Sequence, residues 1–192
     1  MGRGRKIIDI ELVIDGAIAL IEEGGVEEFS TRRLAARLGI SAMTLYNYYD
    51  NRQAIMTGAL RRGLGLLWDG LFEKIADWRA RGGNPLGSYR ILADHLLTFA
   101  IAHPRLCRFI LTEGSTGDWM ARAGQIERIY GPDGKGEGLL SEPLRRDIYL
   151  FELLIFALTL KVLVGGESAE RFRELSMAGY ERLLGLYEAS VA

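Results

Sequence analysis

The sequence predicts an all-α protein, and three observations lead to this prediction. Apolar residues recur every three or four positions along most of the chain, which is the spacing of one face of a helix. No segment shows a convincing alternation of apolar and polar residues, the pattern of a half-buried strand. The 192 residues include only four prolines, and each falls at a boundary of a proposed helix or in a loop.

Composition and charge exclude several classes of protein. A hydrophobic content of 48% with 26% charged residues is typical of a folded globular chain rather than a disordered one. The formal net charge of −1 argues against a protein that coats nucleic acid indiscriminately, although it leaves room for a local basic surface. The single cysteine, Cys107, excludes an internal disulfide framework, and the N-terminus lacks the apolar core of a secretory signal. We therefore expect a cytoplasmic protein.

One apolar segment, residues 148–164, has a length that suggests a membrane span. Glu152 and Lys161 interrupt it and leave eight uncharged residues between them, whereas roughly 20 are needed to cross a bilayer. We predict instead a helix buried on most of its sides, and no membrane partner.

The first 49 residues are predicted to form three short helices. The first has an apolar stripe and ends at Gly24-Gly25. The second begins after Ser30 and the third after Ser41, because each serine can cap a helix and lies within a staple pair of apolar residues. Gly39 suits the left-handed backbone that ends the second helix, so the order is that of a helix-turn-helix unit. The stripe consists of Ile10, Val13, Ile14, Ala17, Ile18 and Ile21, and the staple pairs are Phe29 with Leu34 and Ile40 with Leu45.

The third helix carries side chains suited to double-stranded DNA. Threonine and asparagine hydrogen-bond to base edges, and alanine and methionine contact a thymine methyl group, in a major groove about 12 Å wide. Tyrosine and arginine bind phosphates and set the register. The predicted base contacts are Ala42, Met43, Thr44 and Asn47, and the predicted phosphate contacts are Tyr46, Tyr48 and Arg52. The alternative is an ordinary helical hairpin in water, but the ordered succession of helices, staples and glycine turn favours DNA.

The segment resembles the N-terminal domain of the tetracycline-repressor (TetR) family over residues 7–55. The matching runs are Ser30-Thr31-Arg32-Arg33-Leu34-Ala35, Leu38-Gly39-Ile40-Ser41, Thr44-Leu45-Tyr46-Asn47-Tyr48-Tyr49 and Asn51-Arg52. The resemblance implies a homodimer with a C-terminal domain that binds a small effector and releases the DNA. It places base contacts on Arg32, Ala42, Met43, Thr44 and Asn47, and phosphate contacts on Thr31, Tyr46, Tyr48 and Arg52. Asp50, which we expect to cap the next helix, stands where many members have a basic or neutral residue.

The basic residues Arg3, Arg5 and Lys6 have two interpretations. They form an arm that enters a minor groove, as basic arms do in other DNA-binding proteins. Alternatively, they form a disordered end that aids solubility. The sequence leaves both interpretations open.

Beyond the helix-turn-helix unit the sequence predicts a C-terminal helical domain. The proposed helices are 51–80, 87–102, 104–113, 118–130, 142–164 and 168–189. One stripe of the last helix is a predicted dimer interface that forms half of an intersubunit four-helix bundle with the apolar helix before it. Its residues are Phe172, Leu175, Gly179, Leu183 and Leu186. Burial within one subunit is the alternative for this stripe.

Several aromatic side chains of this domain are candidate walls of a ligand pocket, since helix bundles bind ligands between their helices. They are His95, Phe99, Phe109, Trp119, Ile126, Tyr130, Phe151 and Phe156. A place in the ordinary core is the alternative for each of them. Glu152, within an apolar helix, needs a partner such as Lys161, Arg145 or a cationic or hydroxylated ligand, unless a helix kink exposes it.

Enzyme and metal sites are not predicted. His95 and His103 lie eight residues apart without a cysteine pair or a second carboxylate at ligand spacing. His103 and Cys107 have no evident third member of a catalytic triad. We expect no catalysis, no cofactor and no metal.

These observations predict two domains, a DNA-binding helix-turn-helix domain at residues 1–49 and a helical effector-binding and dimerisation domain at residues 50–192. The predicted function is a ligand-responsive transcriptional repressor that binds a palindromic operator as a homodimer and is released by an apolar or amphipathic small molecule. Two alternatives stay open. One is an activator or effector-independent DNA-binding protein of the same fold, and the other is a helical interaction protein without DNA binding.

Overall fold

A computed structural model describes residues 9–84, 86–114 and 142–191, and the regular structure within these ranges is entirely helical. The all-α prediction is confirmed. The helices are α1 (Ile10–Gly24), α2 (Thr31–Arg37), α3 (Ala42–Leu45), α4 (Arg52–Trp68), α5 (Leu71–Ala80), α6 (Gly87–Ala102), α7 (Pro104–Glu113), α8 (Glu142–Leu163) and α9 (Ala169–Val191), with a 3₁₀ turn at Val26–Glu28. The predicted helix 118–130 lies outside the described residues.

The helices group into two compact units. The first contains the described residues up to Leu67 together with His103–Glu113, and the second contains Trp68–Ala102 and the described residues from Gly114 onward. This grouping rests on packing alone. The functional boundary after residue 49 stays a prediction.

The first unit is built on the apolar face of α1. Five of the six residues in its predicted stripe are buried, from Val13 to Ile21, and α1 packs against α2 and α7 of this unit. The sixth, Ile10, is 56% exposed, because it is the first residue of the helix. The Asp9 side chain caps α1 by accepting a hydrogen bond from the Glu11 backbone N–H at 2.9 Å. The stripe was therefore predicted correctly except at its first position.

The predicted single helix 51–80 is wrong, because the chain breaks it at Gly70. The helix α4 ends at Trp68, and α5 begins at Leu71. Gly70 between them has φ 69°, a left-handed conformation that ends a helix and that glycine adopts without steric cost. The sequence places no proline here, so helical periodicity alone concealed the break.

The cap of α4 is also different from the prediction. The Asn51 side chain, not that of Asp50, accepts the hydrogen bond at the start of the helix, from the Ala54 backbone N–H at 2.9 Å. The helix starts one residue later than expected, at Arg52, which moves the capping position from Asp50 to Asn51. Asp50 is exposed.

In the second unit, α6, α8 and α9 pack together, and α5 packs on α6. The loop between α5 and α6 is held by Asn84, whose carbonyl accepts from Trp78 Nε1 at 3.0 Å and whose Oδ1 accepts from the Gly87 backbone N–H at 2.9 Å. Its Nδ2 donates to the hydroxyl of Tyr180 on α9 at 3.2 Å. One asparagine therefore ties three helices of this unit together.

The residues predicted for the dimer interface lie on α9 in different environments. Phe172 and Leu183 are buried within the subunit, and Leu175 is half-buried. Gly179 lies against Phe151 of α8, where an added Cβ would come within 2.8 Å of the ring. Leu186 is exposed by 40%. The first two side chains thus support the fold of the subunit itself, while their part in a dimer stays a prediction.

The apolar helix α8 is consistent with the interpretation of residues 148–164 as a packed segment. Four residues of it at helical spacing, Ile148, Phe151, Ile155 and Leu158, are buried. Among the described residues, no helix combines the length and the apolar character that a membrane crossing requires.

Candidate nucleic-acid interface

The start of α2 is fixed by its own side chains, as the sequence predicted. Ser30 Oγ accepts a hydrogen bond from the Arg33 backbone N–H at 3.2 Å. Phe29 and Leu34, the predicted staple pair, are both buried. This arrangement satisfies one free N–H of the helix and sets the direction in which the chain enters it.

The turn between α2 and α3 is closed by backbone hydrogen bonds around Gly39. The Gly39 N–H donates to the Ala36 carbonyl at 3.2 Å, and the Ile40 N–H donates to the Ala35 carbonyl at 3.0 Å. This pair of bonds is the Schellman motif, which requires a left-handed residue, and Gly39 has φ 66°. The predicted glycine turn is confirmed.

The helix α3 is short, with only 4 residues of regular α-helix. Ser41 Oγ caps it by accepting from the Thr44 backbone N–H at 3.1 Å, as predicted, and regular α-helix ends at Leu45. The next residues continue as tight turns, in which the N–H groups of Tyr48 and Tyr49 both donate to the Leu45 carbonyl at 3.0 Å. Leu45 is fully buried and fixes this short element to the core.

Tyr49 fixes the end of this turn to α1. Its half-buried hydroxyl donates to the carbonyl of Ile10 at 3.3 Å, and burial raises the pKa of Tyr49. Tyr49 belongs to the sequence motif, but the sequence does not predict a role for it. The structure makes it a positioning residue for the surface that precedes it.

The predicted base-contacting residues differ in exposure. Met43 has 74% of its surface exposed, and Arg32 and Asn47 are also exposed. Ala42 and Thr44 are half-buried. Within the described residues, no side-chain hydrogen bond or ion pair engages Arg32 or Asn47, so their donors are available to a partner.

Two predicted phosphate contacts converge on one point. Thr31 Oγ1, in the first turn of α2, lies 3.1 Å from the hydroxyl oxygen of Tyr46, which directly follows α3. A bond between two hydroxyls uses one hydrogen, so the pair keeps one O–H for a phosphate oxygen. Sequence alone could not show this pairing, because the residues are 15 positions apart.

Arg52, another predicted phosphate contact, is held in place by the first unit. Its guanidinium lies 5.3 Å from the centre of the Phe29 ring, and one of its nitrogens is 3.5 Å from the Val26 carbonyl. A cation over an aromatic ring is attracted to it and keeps most of its N–H groups free. Tyr48, the remaining predicted phosphate contact, is half-buried.

Two of the three arginines of α2 are neutralised by acidic residues. Arg33 pairs with Glu28 at 2.7 Å, and Arg37 pairs with Glu23 at 2.8 Å. The hydrogen bond from Arg33, together with its positive charge, holds the pKa of the Glu28 carboxyl below its usual value. Arg32 is therefore the residue of this helix whose charge is left for a partner.

The end of α1 is bound to α7 by contacts that the sequence did not predict. An Arg105 nitrogen donates to the carbonyls of Glu22 at 3.0 Å and of Glu23 at 2.6 Å. His103 Nδ1 lies 2.7 Å from the Glu22 carboxylate. The last carbonyls of a helix need partners from outside it, which is the only indication the sequence offered.

The predicted pocket residues that the structure describes fall in both compact units. Phe99 and Phe151 are buried in the second unit, Glu152 and Phe156 are half-buried there, and Phe109 is buried in the first unit. His95 Nδ1 lies 3.2 Å from Lys74 Nζ, beside a cleft of about 340 Å³ between α5 and α6. Trp119, Ile126 and Tyr130 lie outside the described residues.

A larger cleft, of about 450 Å³, lies between α6 and α9 of the second unit. Its wall combines apolar and basic side chains. The residues are Arg90, Ala93, Asp94, Leu97, Thr98, Arg173, Ser176 and Met177. None of them was among the predicted pocket residues.

No group of three or more histidine, cysteine, aspartate or glutamate residues in the described part of the chain is placed to hold a metal ion. Cys107 is buried, and its burial raises the pKa of the thiol to about 12. A thiol that stays protonated at neutral pH is a poor nucleophile.

The cap at Ser30, the turn at Gly39 and the exposed surface of α3 define a helix-turn-helix DNA-binding domain. Residues 13–58 match the family model described as bacterial regulatory proteins, tetR family. The protein therefore carries the N-terminal DNA-binding domain of the tetR family of bacterial regulatory proteins.

Curated relatives support this assignment. The chain is 29% identical over 121 residues to the HTH-type transcriptional repressor KstR of Rhodococcus jostii, covering 61% of this chain and 52% of that protein. It is 23% identical over 120 residues to the nucleoid occlusion factor SlmA of Idiomarina loihiensis, covering 62% and 59%. It is 44% identical over 46 residues to the class D tetracycline repressor protein of Escherichia coli, covering 24% and 21%. The chain thus spans less than two thirds of each of these relatives.

Solved structures show the same fold over most of the chain. A TetR-like transcriptional regulator from Rhodococcus sp. RHA1 superposes with a TM-score of 0.63 at 17% identity, covering 96% of this chain and 98% of that one. A TetR family regulator from Marinobacter aquaeolei VT8 gives 0.58 at 19% identity, covering 90% and 93%. At these levels of sequence identity, the similarity shows a shared fold and nothing more.

Proposed function

We propose that the protein is a repressor that binds a palindromic operator as a homodimer in the cytoplasm and releases it when a small apolar or amphipathic effector binds. One observation carries the DNA-binding part of this proposal. The exposed surface formed by α2, α3 and the turns after α3, with Met43, Asn47 and Arg32, is supported by capped helix ends and a closed turn. Exposed side chains on a fixed backbone are what base recognition requires.

Phosphate contacts would flank this surface. The hydroxyl pair of Thr31 and Tyr46 and the guanidinium of Arg52 are positioned by the first unit, and each keeps hydrogen-bond donors that the fold does not use. Tyr48 would complete the set. These contacts orient α3 in the groove and carry no sequence preference of their own.

The dimer is supported by apolar surface on the second unit. Tyr149, Leu150 and Leu153 are exposed on one side of α8, and Leu186 is exposed on α9. Packing of these side chains against a second copy would remove them from water and form a four-helix bundle. A two-fold dimer also places two recognition helices about one helical turn of DNA apart, roughly 34–36 Å.

The effector is supported by the cleft between α6 and α9. Its volume of about 450 Å³ lies in the range of small-molecule sites, roughly 300–1,000 Å³. Leu97 and Met177 offer apolar contact, and Arg90 and Arg173 offer charge. A ligand that binds one spacing of the two recognition helices better than the other weakens operator binding by that difference in affinity.

Selection of bound sites from a random DNA pool tests the proposal. We expect a palindrome whose half-site centres lie about 10–10.5 base pairs apart, or a multiple of this spacing. We also expect affinity to fall steeply with salt, because phosphate contacts release counterions. A purified protein without preference for any duplex over scrambled competitor would contradict it.

The effector part has its own test. Chemically diverse apolar and amphipathic compounds are added at saturation to the operator complex, and operator affinity and melting temperature are measured. At least one class should stabilise the protein and release the DNA. If no compound changes either quantity, the effector-independent alternative with the same fold takes its place.

A further inference from the structure

The cleft between α6 and α9 is lined by two basic side chains that the fold leaves unpaired. Arg90 on α6 and Arg173 on α9 both belong to its wall, and both are exposed. Within the described residues, no side-chain hydrogen bond or ion pair engages either guanidinium group. Two like charges that line one cleft repel each other, and an anion bound there would relieve that repulsion.

Acidic neighbours along each helix do not neutralise these arginines. Asp94 follows Arg90 by four residues on α6, but such a pair is more favourable when the acidic residue comes first, and the two form no ion pair in the described structure. On α9 the nearby Glu174 pairs with Arg171 at 2.6 Å, and not with Arg173. The wall of the cleft therefore carries two positive charges and one negative charge.

The hydroxyl groups of the wall use their hydrogens within their own helices. Thr98 Oγ1 donates to the carbonyl of Asp94 at 2.7 Å, and Ser176 Oγ donates to the carbonyl of Arg173 at 3.1 Å. A hydroxyl group has one hydrogen, so neither of them can donate to a ligand at the same time. The backbone N–H groups of the lining residues lie within α6 and α9. Among the described lining residues, the available donors are therefore those of the two guanidinium groups.

The apolar part of the wall is aliphatic. Ala93 and Leu97 of α6 are buried, and Met177 of α9 is half-buried. The described lining includes no aromatic ring on which a flat ligand could stack. The flexible thioether of a methionine adapts to a chain of irregular shape, and the planar fork of an arginine suits a carboxylate or a phosphate.

We infer that the ligand of this cleft is an aliphatic compound with an anionic head group, a carboxylate or a phosphate, which Arg90 and Arg173 bind from two helices while Leu97 and Met177 contact the chain. The inference rests on the proposed function and deepens it, because it excludes neutral and cationic compounds from the effectors of this cleft. Asp94 opposes an anion, but one negative charge does not outweigh two positive charges.

The test uses the full-length protein without DNA and four compounds with the same ten-carbon chain, each below the concentration at which it forms micelles. Decanoate and decyl phosphate are anionic, 1-decanol is neutral and decylammonium is cationic. Calorimetric titration at neutral pH gives the dissociation constants. We expect at least one anion to bind about tenfold more tightly than the alcohol, the effect of a hydrogen bond to a charged group, and the cation to bind more weakly than the alcohol. Added salt should reduce the difference between anion and alcohol.

Protein variants locate the site. Arg90→Gln and Arg173→Gln should each weaken binding of the anion about tenfold and the double variant about a hundredfold, while the affinity for 1-decanol stays the same. Arg171→Gln is the matched control, because Arg171 is exposed on the same helix, pairs with Glu174 and does not line the cleft. It should leave the affinity for the anion unchanged.

A change of opposite sign is expected at Asp94. Asp94→Asn removes the negative charge of the wall and should strengthen binding of the anion by about 1.5- to fivefold, the size of an interaction between exposed charges. The substituted residues are all exposed, so each variant should fold, and its melting temperature checks this. A merely structural role of Asp94 would not make the variant bind more tightly.

The possible results distinguish this inference from the proposed function. Equal affinities for both anions and the alcohol would overturn the inference, and so would the absence of binding by all four compounds. An anion that binds the double variant as tightly as the parent occupies another site, which also overturns it. None of these results affects operator binding, which the selection of sites tests separately. Conversely, a protein that binds the anion through both arginines but prefers no duplex contradicts the proposed function and supports the ligand class assigned to the cleft.

Discussion

The three arginines of α2 show that ion pairing decides how much positive charge each one leaves on the protein surface. Arg32, Arg33 and Arg37 are all exposed, as the sequence predicted, yet two of them are paired with Glu28 and Glu23. Exposed ion pairs contribute little to stability, roughly 0–1 kcal/mol, so their main effect is on the local charge. The pairing of Arg37 with Glu23 spans 14 residues and two helices, and therefore only the fold reveals it.

Substitution of Asn47 should reduce the sequence preference of DNA binding, whereas substitution of Arg52 should weaken binding to all DNA. Asn47→Ala removes a proposed base contact, so we expect the operator to lose about 1–3 kcal/mol of binding free energy while scrambled DNA binds as before. Arg52→Ala should weaken both duplexes by a similar factor and reduce the slope of log affinity against log salt by about one. Titrations of operator and scrambled duplex at three salt concentrations measure both effects. An Asn47→Ala variant that selects the unchanged site would show that α3 is misassigned.

Cys107 should be inert in the folded protein. Its pKa is raised from 9.0 to about 12, so the folded state keeps the thiol protonated where the unfolded chain ionises it. At pH 8 we expect alkylation to be at least a hundredfold slower than in denaturant, in line with the lower thiolate fraction.

The same shift has a consequence for stability. The contribution of Cys107 is fully present below pH 9 and is lost as the pH rises towards 12, since ionisation then favours the unfolded chain. Melting temperatures recorded across this window, with Cys107→Ala as the control, measure it. Equal alkylation rates in buffer and denaturant would contradict the burial.

Among the elements, the turn at Gly39 has the clearest predicted cost. Gly39→Ala should destabilise the protein by about 1–2 kcal/mol, because an L-residue there pays for the left-handed conformation. Nothing lies within 4 Å of the added Cβ, so the cost arises from φ and not from a clash. The matched control is Gly65→Ala in α4, also without a neighbour within 4 Å but helical, which should stabilise by about 0.5–1 kcal/mol.

Thermal unfolding of these two variants compares the same chemical change in two backbone conformations. Opposite shifts in melting temperature are expected. A Gly39→Ala variant as stable as the parent would mean that the turn relaxes to another conformation, and its operator affinity should then fall as α3 moves.

The features that the sequence predicted correctly are those that depend on residues close together in the chain. The caps at Ser30 and Ser41 and the turn at Gly39 each depend on a few neighbouring residues, and all three are confirmed. The break at Gly70 was missed because a glycine within a helical pattern has no fixed meaning until packing decides it. The cap of α4 was misplaced by one residue, since Asp50 and Asn51 are both good capping residues.

At the level of the whole molecule, the second unit should control assembly. Leu150→Glu places a charge on the exposed apolar side of α8, so we expect the dimer to dissociate and the affinity for the palindrome to fall at least tenfold. Sedimentation measures the first effect and operator titration the second. Leu12→Glu, an equally drastic change at an exposed leucine of α1, should leave the assembly unchanged. A Leu150→Glu dimer of normal affinity would place the interface elsewhere.

The clefts between helices were the least predictable part of the molecule. Aromatic residues at helical spacing line cores and pockets equally well, and the predicted set included Phe109 of the first unit beside residues of the second. The cleft between α6 and α9 is lined instead by charged, small and apolar residues together, and this mixed composition is also that of an ordinary half-exposed helix face. A cleft forms where packed helices diverge, and the sequence pattern of a single helix does not predict where this happens.

Because α3 is very short, the residues that hold it in place differ from the exposed residues proposed to contact DNA. Four residues are too few to form a stable helix alone, so its geometry comes from Leu45, the cap at Ser41 and the neighbouring core. Met43, Asn47 and Arg32 add little to that support. If these three side chains contact bases as proposed, duplicated copies of the gene can exchange them and acquire new target sites with almost no loss of stability.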